Sequence, residues 1–216
     1  MKKSIYILSI FTLIYSCTKK ESTPTVIAPI VPSIITIGTQ KWMDKNLEVA
    51  TYRNGDIIPQ VTDPTIWAAL KTGAWCFYNN DAAKGAKYGK LYNWYAVIDS
   101  RGLAPKGWHI PSDAEWTNLN IFLGDEAGGK LKELGTLNWQ YPNRQATNYS
   151  GFSALPGGFR DYDGTFSIVG SYGSWWSATE LSSSSAMMRS LSYLDGALFR
   201  SSSLKHFGFS VRCLRD

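Results

Sequence analysis

A chain of 216 residues with 9 Trp, 12 Tyr, 9 Phe and 19 Gly is long enough for one domain with a buried core, and nothing in the composition argues for a second. Its 22 basic and 17 acidic side chains give a formal charge of +5. They are scattered rather than gathered into a basic stripe or patch, which speaks against nucleic acid as a partner.

Lys2 and Lys3 supply a positive start, Ile5 to Ile14 an apolar run, and Ile14-Tyr15-Ser16-Cys17 resembles a lipobox with a small residue before the cysteine. The pattern predicts a bacterial lipoprotein signal over residues 1–16, cut before Cys17, with the lipid attached at Cys17. The expected partner is therefore a membrane, reached through a lipid anchor, and the expected location is the cell envelope, periplasmic or surface-exposed. About ten apolar residues make a helix of roughly 15 Å, against a hydrocarbon core of about 30 Å, so a surviving transmembrane helix is not expected. Without Lys2 and Lys3 the mature chain keeps 20 basic and 17 acidic residues, a net charge of +3. From Thr18 to Ser33 the chain has Pro24, Pro29 and Pro32 and no helical periodicity. Residues 17–33 thus read as the lipidated cysteine and a flexible tether, and residues 34–216 as the folded domain.

Within that domain one helix is well signalled. Ser112-Asp113-Ala114-Glu115 is a capping box, and Trp116, Leu119, Ile121, Phe122 and Leu123 follow as an apolar side, which predicts a helix over about 112–123. Shorter helical pieces are predicted at Pro64–Leu70 and Gly129–Leu134. Ala74 to Tyr78 reads as a strand. After Ser150, Asp163-Gly164 and Asp195-Gly196 predict hairpins, because glycine accepts the positive φ of a tight turn. At the end Phe207, Phe209, Val211 and Cys213 alternate, and so share one buried face. The fold class is α+β, with loop-rich antiparallel sheets and one main helix.

With Cys17 acylated, Cys76 and Cys213 are the one pair available for a disulfide, bonded or left as two buried thiols. No catalytic constellation stands out. His109 and His206 are isolated from any Cys/His cluster, which predicts structural or solvated roles and no metal. Ser177, Thr179, Glu180 and Asp161 form no recognisable triad. Asp161-x-Asp163-Gly164 resembles a fragment of a calcium loop, but a hairpin turn accounts for it. No cofactor is expected. The aromatic residues suit binding better, because Tyr and Trp offer flat apolar faces with a polar handle. Tyr162, Tyr172, Trp175 and Trp176, with Phe166, cluster around glycine-rich turns and are the candidate ligand-binding residues. Trp175 and Trp176 are adjacent in a strand, so one is expected to face inward and one outward.

Several stretches together resemble the Fibrobacter succinogenes major paralogous domain (FISUMP) family. They are Ile-Gly-Thr-Gln-Lys-Trp-Met-Asp-Lys-Asn-Leu (37–47), Tyr-Gly-Lys-Leu-Tyr-Asn-Trp-Tyr-Ala-Val (88–97), Gly-Trp-His-Ile-Pro-Ser-Asp-Ala-Glu-Trp (107–116), Ala-Leu-Pro-Gly-Gly-Phe-Arg (154–160), Trp-Trp-Ser-Ala-Thr (175–179) and Gly-Phe-Ser-Val-Arg-Cys-Leu-Arg (208–215). The resemblance implies a bacterial envelope or secreted protein and supplies no settled activity. It also implies a cysteine just before Pro-x-Gly-Trp-His, where this chain has Ala104, so Cys213 lacks that partner. The helix start at Pro111–Trp116 and the closing Gly208–Arg212 stretch look like pieces of formylglycine-generating enzymes and the C-type-lectin-like fold, whose terminal strands lie together. The oxidase chemistry of the former needs two cysteines near the carboxyl end, and this chain has one there.

These readings converge on a lipid-anchored, non-catalytic binding or adhesion domain, with glycans or envelope macromolecules as ligands. A structural envelope component and a hydrolase are the alternatives.

Overall fold

The computed structural model describes residues 33–216; the leader, Cys17 and the tether lie outside the described residues. The chain opens with an antiparallel hairpin, β1 (Ile34–Ile37) and β2 (Gln40–Met43). It turns at Gly38, where φ is +61° and an added Cβ would sit 2.8 Å from the Phe122 ring, so glycine is required there on two counts. Helix α1 (Pro64–Ala68) starts where Asp63 accepts from the Ile66 amide and Pro64 presets the first turn. Strand β3 (Trp75–Cys76) falls inside the predicted strand. Helix α2 (Ala82–Tyr88), capped by Asp81, separates it from its antiparallel partner β4 (Leu91–Tyr92). Asn93 then caps the short α3 (Trp94–Val97) and also accepts from the Ala74 amide, so one buried amide ties a helix to a strand.

After β5 (Trp108–His109) comes α4 (Asp113–Leu123). Its reciprocal cap is formed as predicted, with Ser112 Oγ accepting from the Glu115 amide and the Glu115 carboxylate accepting from the Ser112 amide. The buried stripe of α4 is Trp116, Leu119 and Leu123, whereas Ile121 and Phe122 are 70% and 61% exposed. At 100° per residue those two lie off the i, i+3, i+7 stripe, which corrects the wider apolar side expected from the sequence. Helix α5 (Ala127–Leu131) begins two residues before the predicted piece.

The remaining strands are β6 (Phe159–Arg160), β7 (Phe166–Ser167), β8 (Tyr172–Glu180), β9 (Ser185–Ser192), β10 (Phe199–Leu204) and β11 (Leu214–Arg215). β6 and β7 form the hairpin around Asp163-Gly164, and β9 and β10 pair across the Asp195-Gly196 turn. The sheets are β1-β2-β11-β5, β10-β9-β8 and two two-stranded sheets, β3-β4 and β6-β7, all antiparallel, so the class is α+β. The opening hairpin meets the last strand through β2, Leu214 pairing with Trp42 and the Met43 amide bonding to the Cys213 carbonyl at 3.0 Å.

Strand β8 is the central wall. One edge pairs with β9, and the other is bridged by the closing segment, the Ser210 amide bonding to Ser174 and the Trp176 amide to Ser210. Trp175 faces a cluster with Trp42, Trp116, Phe152 and Leu191. Trp176 faces another, with Tyr92, Trp94, Phe209 and Val211. Both indoles are therefore buried, at 1% and 0% exposure. This corrects the inward-and-outward expectation: alternation holds, but both faces of the strand are covered by core. The closing segment behaves similarly. Phe209, Val211 and Cys213 are buried as predicted, but the intervening Ser210 and Arg212 are buried too, and Phe207 is only half buried.

Buried cations join the loops to this core. Arg160 lies between the Trp67 and Phe166 rings, at 4.4 and 5.0 Å, and donates to the carbonyls of Val61, Thr62 and Gly164. Lys132 Nζ donates to the carbonyls of Arg144, Ser192 and Asp195 at 2.7–2.9 Å. Burial pulls its pKa down to about 8, against the opposing pull of Asp195. Arg212 stacks on Phe152 at 4.0 Å and bonds to the Phe152 and Asp44 carbonyls and to Asn46 Oδ1. Its pKa is pushed down to about 9 by burial, against the pull of Asp44. A guanidinium's fixed fork of donors suits several carbonyls at once.

Candidate functional site

The structure separates the sequence-predicted aromatic residues. Trp175 and Trp176 are packing residues whose indole N–H groups donate to Asn46 Oδ1 and the Tyr92 carbonyl. Tyr172 is half-buried at the start of β8. Only Tyr162, in the turn after β6, is well exposed, at 54%. Its ring is 5.9 Å from Phe207, which in turn lies 5.6 Å from the half-buried Phe159. Of the predicted residues the accessible aromatic is therefore Tyr162, which forms a ridge resting on the half-buried Phe207 and Phe159, rather than the Tyr172–Trp176 turn. Next to Phe207, His206 meets Tyr95 edge-on at 5.5 Å.

Local chemistry fixes the ridge. Arg160 and Gly208 exchange backbone hydrogen bonds at 3.0 and 2.8 Å, which sets Phe159 and Tyr162 beside Phe207. An added Cβ at Gly208 would lie 3.0 Å from the Trp67 ring and from Arg160 Cβ, so the glycine permits that approach. Asp163 Oδ1 accepts from the Thr165 amide and hydroxyl, which holds the turn and commits one oxygen of the suggested calcium fragment. Alternation assigns Phe207 to the buried face, and the structure leaves it, like Phe159, only partly covered.

A second feature is a cleft of about 420 Å³ between the loop after β2, the end of α2, Glu133 and the loop at 151–155. Asp44, Glu48 and Glu133 line it, with Lys45 and Lys87. Asn46 and Arg212 form its rigid floor. Asn46 accepts from Arg212 and Trp175 and donates to the Tyr88 carbonyl. Glu133 is oriented by Asn138 Nδ2, which donates to its Oε2 at 2.7 Å. These residues are scattered through the sequence, and no local motif groups them.

The remaining candidates take structural roles. Cys76 and Cys213 are free, buried thiols in different core clusters. Burial pushes each thiol up to about 12, against the opposing pull of Arg160 on Cys76 and of Arg212 on Cys213, so neither is a ready nucleophile. Ser177 Oγ accepts from the Thr179 amide, and Thr179 Oγ1 from the Asp113 amide. Among the described residues no three His, Cys, Asp or Glu side chains gather as metal ligands, and no helix is long and apolar enough to cross a membrane.

His109 is clasped between two carboxylates, Nδ1 at 2.8 Å from Asp216 Oδ1 and Nε2 at 2.9 Å from Glu115 Oε1. Carboxylates only accept, so both bonds together need the imidazolium with its two N–H groups. Partial burial opposes that charge, but the hydrogen bonds and charges of Asp216 and Glu115 outweigh it and raise the pKa above its ordinary value. A raised folded-state pKa means a contribution fully present below the unfolded value of about 6.5 and lost as pH rises through the folded value. The urea midpoint of the wild type is expected to fall over that window. His109→Gln should flatten this part of the profile, and an unchanged slope in the variant would remove His109 as its source.

The family model described as Fibrobacter succinogenes major domain (Fib_succ_major) matches residues 35–215. No curated protein and no solved structure matches the chain.

Proposed function

This chain belongs to the Fibrobacter succinogenes major domain family, and from that premise we propose that it is a lipid-anchored envelope protein whose domain binds glycans or other envelope macromolecules without catalysis. The observation that carries the reading is the exposed Tyr162 ring, set in the turn after β6 and backed by the half-buried Phe207 and Phe159. Aromatic faces of this kind bury the apolar face of a sugar, while a phenol hydroxyl stays wet. The meeting of β2 with β11, beside a capped α4, supports a C-type-lectin-like arrangement. Fold likeness carries no ligand by itself. The anchor rests on the lipobox pattern ending at Cys17.

A glycan array probed with the full-length protein tests the binding role. Tyr162→Ala is expected to weaken capture at least tenfold while leaving stability within about 0.5 kcal/mol, as for an exposed site. Equal capture by variant and wild type would exclude the ridge. In parallel, Cys17→Ala should abolish labelling by a fatty-acid analogue and release the protein from the membrane fraction; equal labelling would refute the anchor.

A second reading, a hydrolase, is favoured by one observation: Asp44, Glu48 and Glu133 share a cleft, and paired carboxylates are what glycoside hydrolysis uses. Release of reducing ends from a bound oligosaccharide, lost in Glu133→Gln, would support it over binding alone.

A further inference from the structure

We infer that the cleft floored by Asn46 and Arg212 is a second ligand site, separate in composition from the aromatic ridge, that seats one neutral, polyhydroxylated ring such as a hexose or N-acetylhexosamine. The inference rests on the glycan reading and gives it a specific subsite.

Size comes first. About 420 Å³ lies toward the small end of the roughly 300–1,000 Å³ usual for small-molecule sites. That suits one ring with its substituents.

Charge then selects the class. Three carboxylates, Asp44, Glu48 and Glu133, face three cations, Lys45, Lys87 and Arg212, so the lining as a whole favours neither an anion nor a cation. The buried guanidinium is poorly placed to hold an anionic ligand, because four of its five N–H donors are already committed. Nε and Nη2 donate to Asn46 Oδ1, and Nη1 donates to the carbonyls of Phe152 and Asp44. No free fork is left for a carboxylate or a phosphate.

What the cleft does offer suits hydroxyl groups. Glu133 has Oε2 taken by Asn138, which fixes the side chain and leaves Oε1 to accept. A carboxylate accepts from hydroxyls, and the flexible ammonium groups of Lys45 and Lys87 donate to hydroxyl oxygens. Ala86 and Leu155 add apolar surface to the lining for the C–H face of a ring. Gly89 and Gly151 contribute backbone without side-chain bulk at the same place.

The test is an amide-shift titration of the ¹⁵N-labelled full-length protein with methyl α-glucoside and with N-acetylglucosamine, alongside alanine and inorganic phosphate. The expected result is sugar-dependent shifts at Gly89, Gly151 and Ser153, with neither alanine nor phosphate reproducing them. Glu133→Gln should weaken the response at least tenfold. Glu48→Gln, at an exposed position, should also weaken it and serves as the readout if Glu133→Gln does not fold. Tyr162→Ala should leave these shifts unchanged. Shifts produced by alanine or phosphate instead of sugar would overturn the neutral-ligand assignment. Sugar shifts confined to the Tyr162–Phe207 ridge would overturn the cleft and leave the ridge standing. No shift with either sugar would also overturn the cleft, while the array result with Tyr162→Ala still decides the ridge on its own.

Discussion

Replacing Arg212 with Met is expected to destabilise the domain by about 3–5 kcal/mol, the range for breaking a buried charged network by removing one partner. The guanidinium is 2% exposed and bonds to Asn46 Oδ1 and the carbonyls of Asp44 and Phe152. Methionine fills much of the volume but leaves the Asp44 and Phe152 carbonyls without that donor, each at the cost of a buried polar group. Asn46 would lose its main donor, and it also receives the Trp175 indole N–H, so the damage reaches the β8 wall. Arg212→Lys should fall between, since an ammonium keeps the charge but lacks the planar fork that reaches acceptors on three residues. Urea unfolding of the three proteins at one pH measures this directly. A methionine variant within about 1 kcal/mol of wild type would show that the network contributes little net stability, as some buried ionic networks do.

Trp175→Ala and Trp176→Ala should each cost about 3–5 kcal/mol, the usual range for deleting a buried indole. The two losses arise on opposite faces of β8. Trp175 leaves a cavity among Trp42, Trp116 and Phe152, and Trp176 leaves one against Phe209, 4.5 Å away. Each variant also removes one hydrogen bond, to Asn46 Oδ1 or to the Tyr92 carbonyl, although each acceptor keeps a second donor, Arg212 or the Phe209 amide. Tyr162→Ala is the contrast, since its ring is half in solvent. A tryptophan variant that kept wild-type stability but lost ligand would restore that indole as a recognition residue and contradict its burial.

Local signals in the sequence translated well where the physics is local. The Ser112–Glu115 box produced α4 because its bonds close within one turn, and Asp163-Gly164 produced a hairpin because the turn depends on its own glycine. Features decided by distant packing were not legible. The alternation at Trp175-Trp176 is real, but whether the second face meets water depends on Phe209 and Val211, more than thirty positions away in the chain. Strands of two residues, such as β4 and β5, carry no periodicity to read. Arg160, Lys132 and Arg212 each follow an apolar residue (Phe159, Leu131, Val211), yet most of their acceptors are carbonyls, which every residue has and which no pattern marks. Of the candidate site, Tyr162 was legible from turn chemistry, whereas the cleft draws on segments from residue 44 to residue 212.

Most acceptors of Arg160, Lys132 and Arg212 belong to the main chain. Val61, Thr62, Arg144 and Phe152 hold Arg160, Lys132 or Arg212 through carbonyl oxygens, and those oxygens persist whatever side chain the position carries. An anchoring scheme of this type is indifferent to much of the loop sequence it secures. The outward residues around Thr62 and Arg144 are free to diversify while the loop path stays the same. In a lineage that multiplies by gene duplication, such a frame lets copies acquire different surfaces without having to rebuild the interior each time.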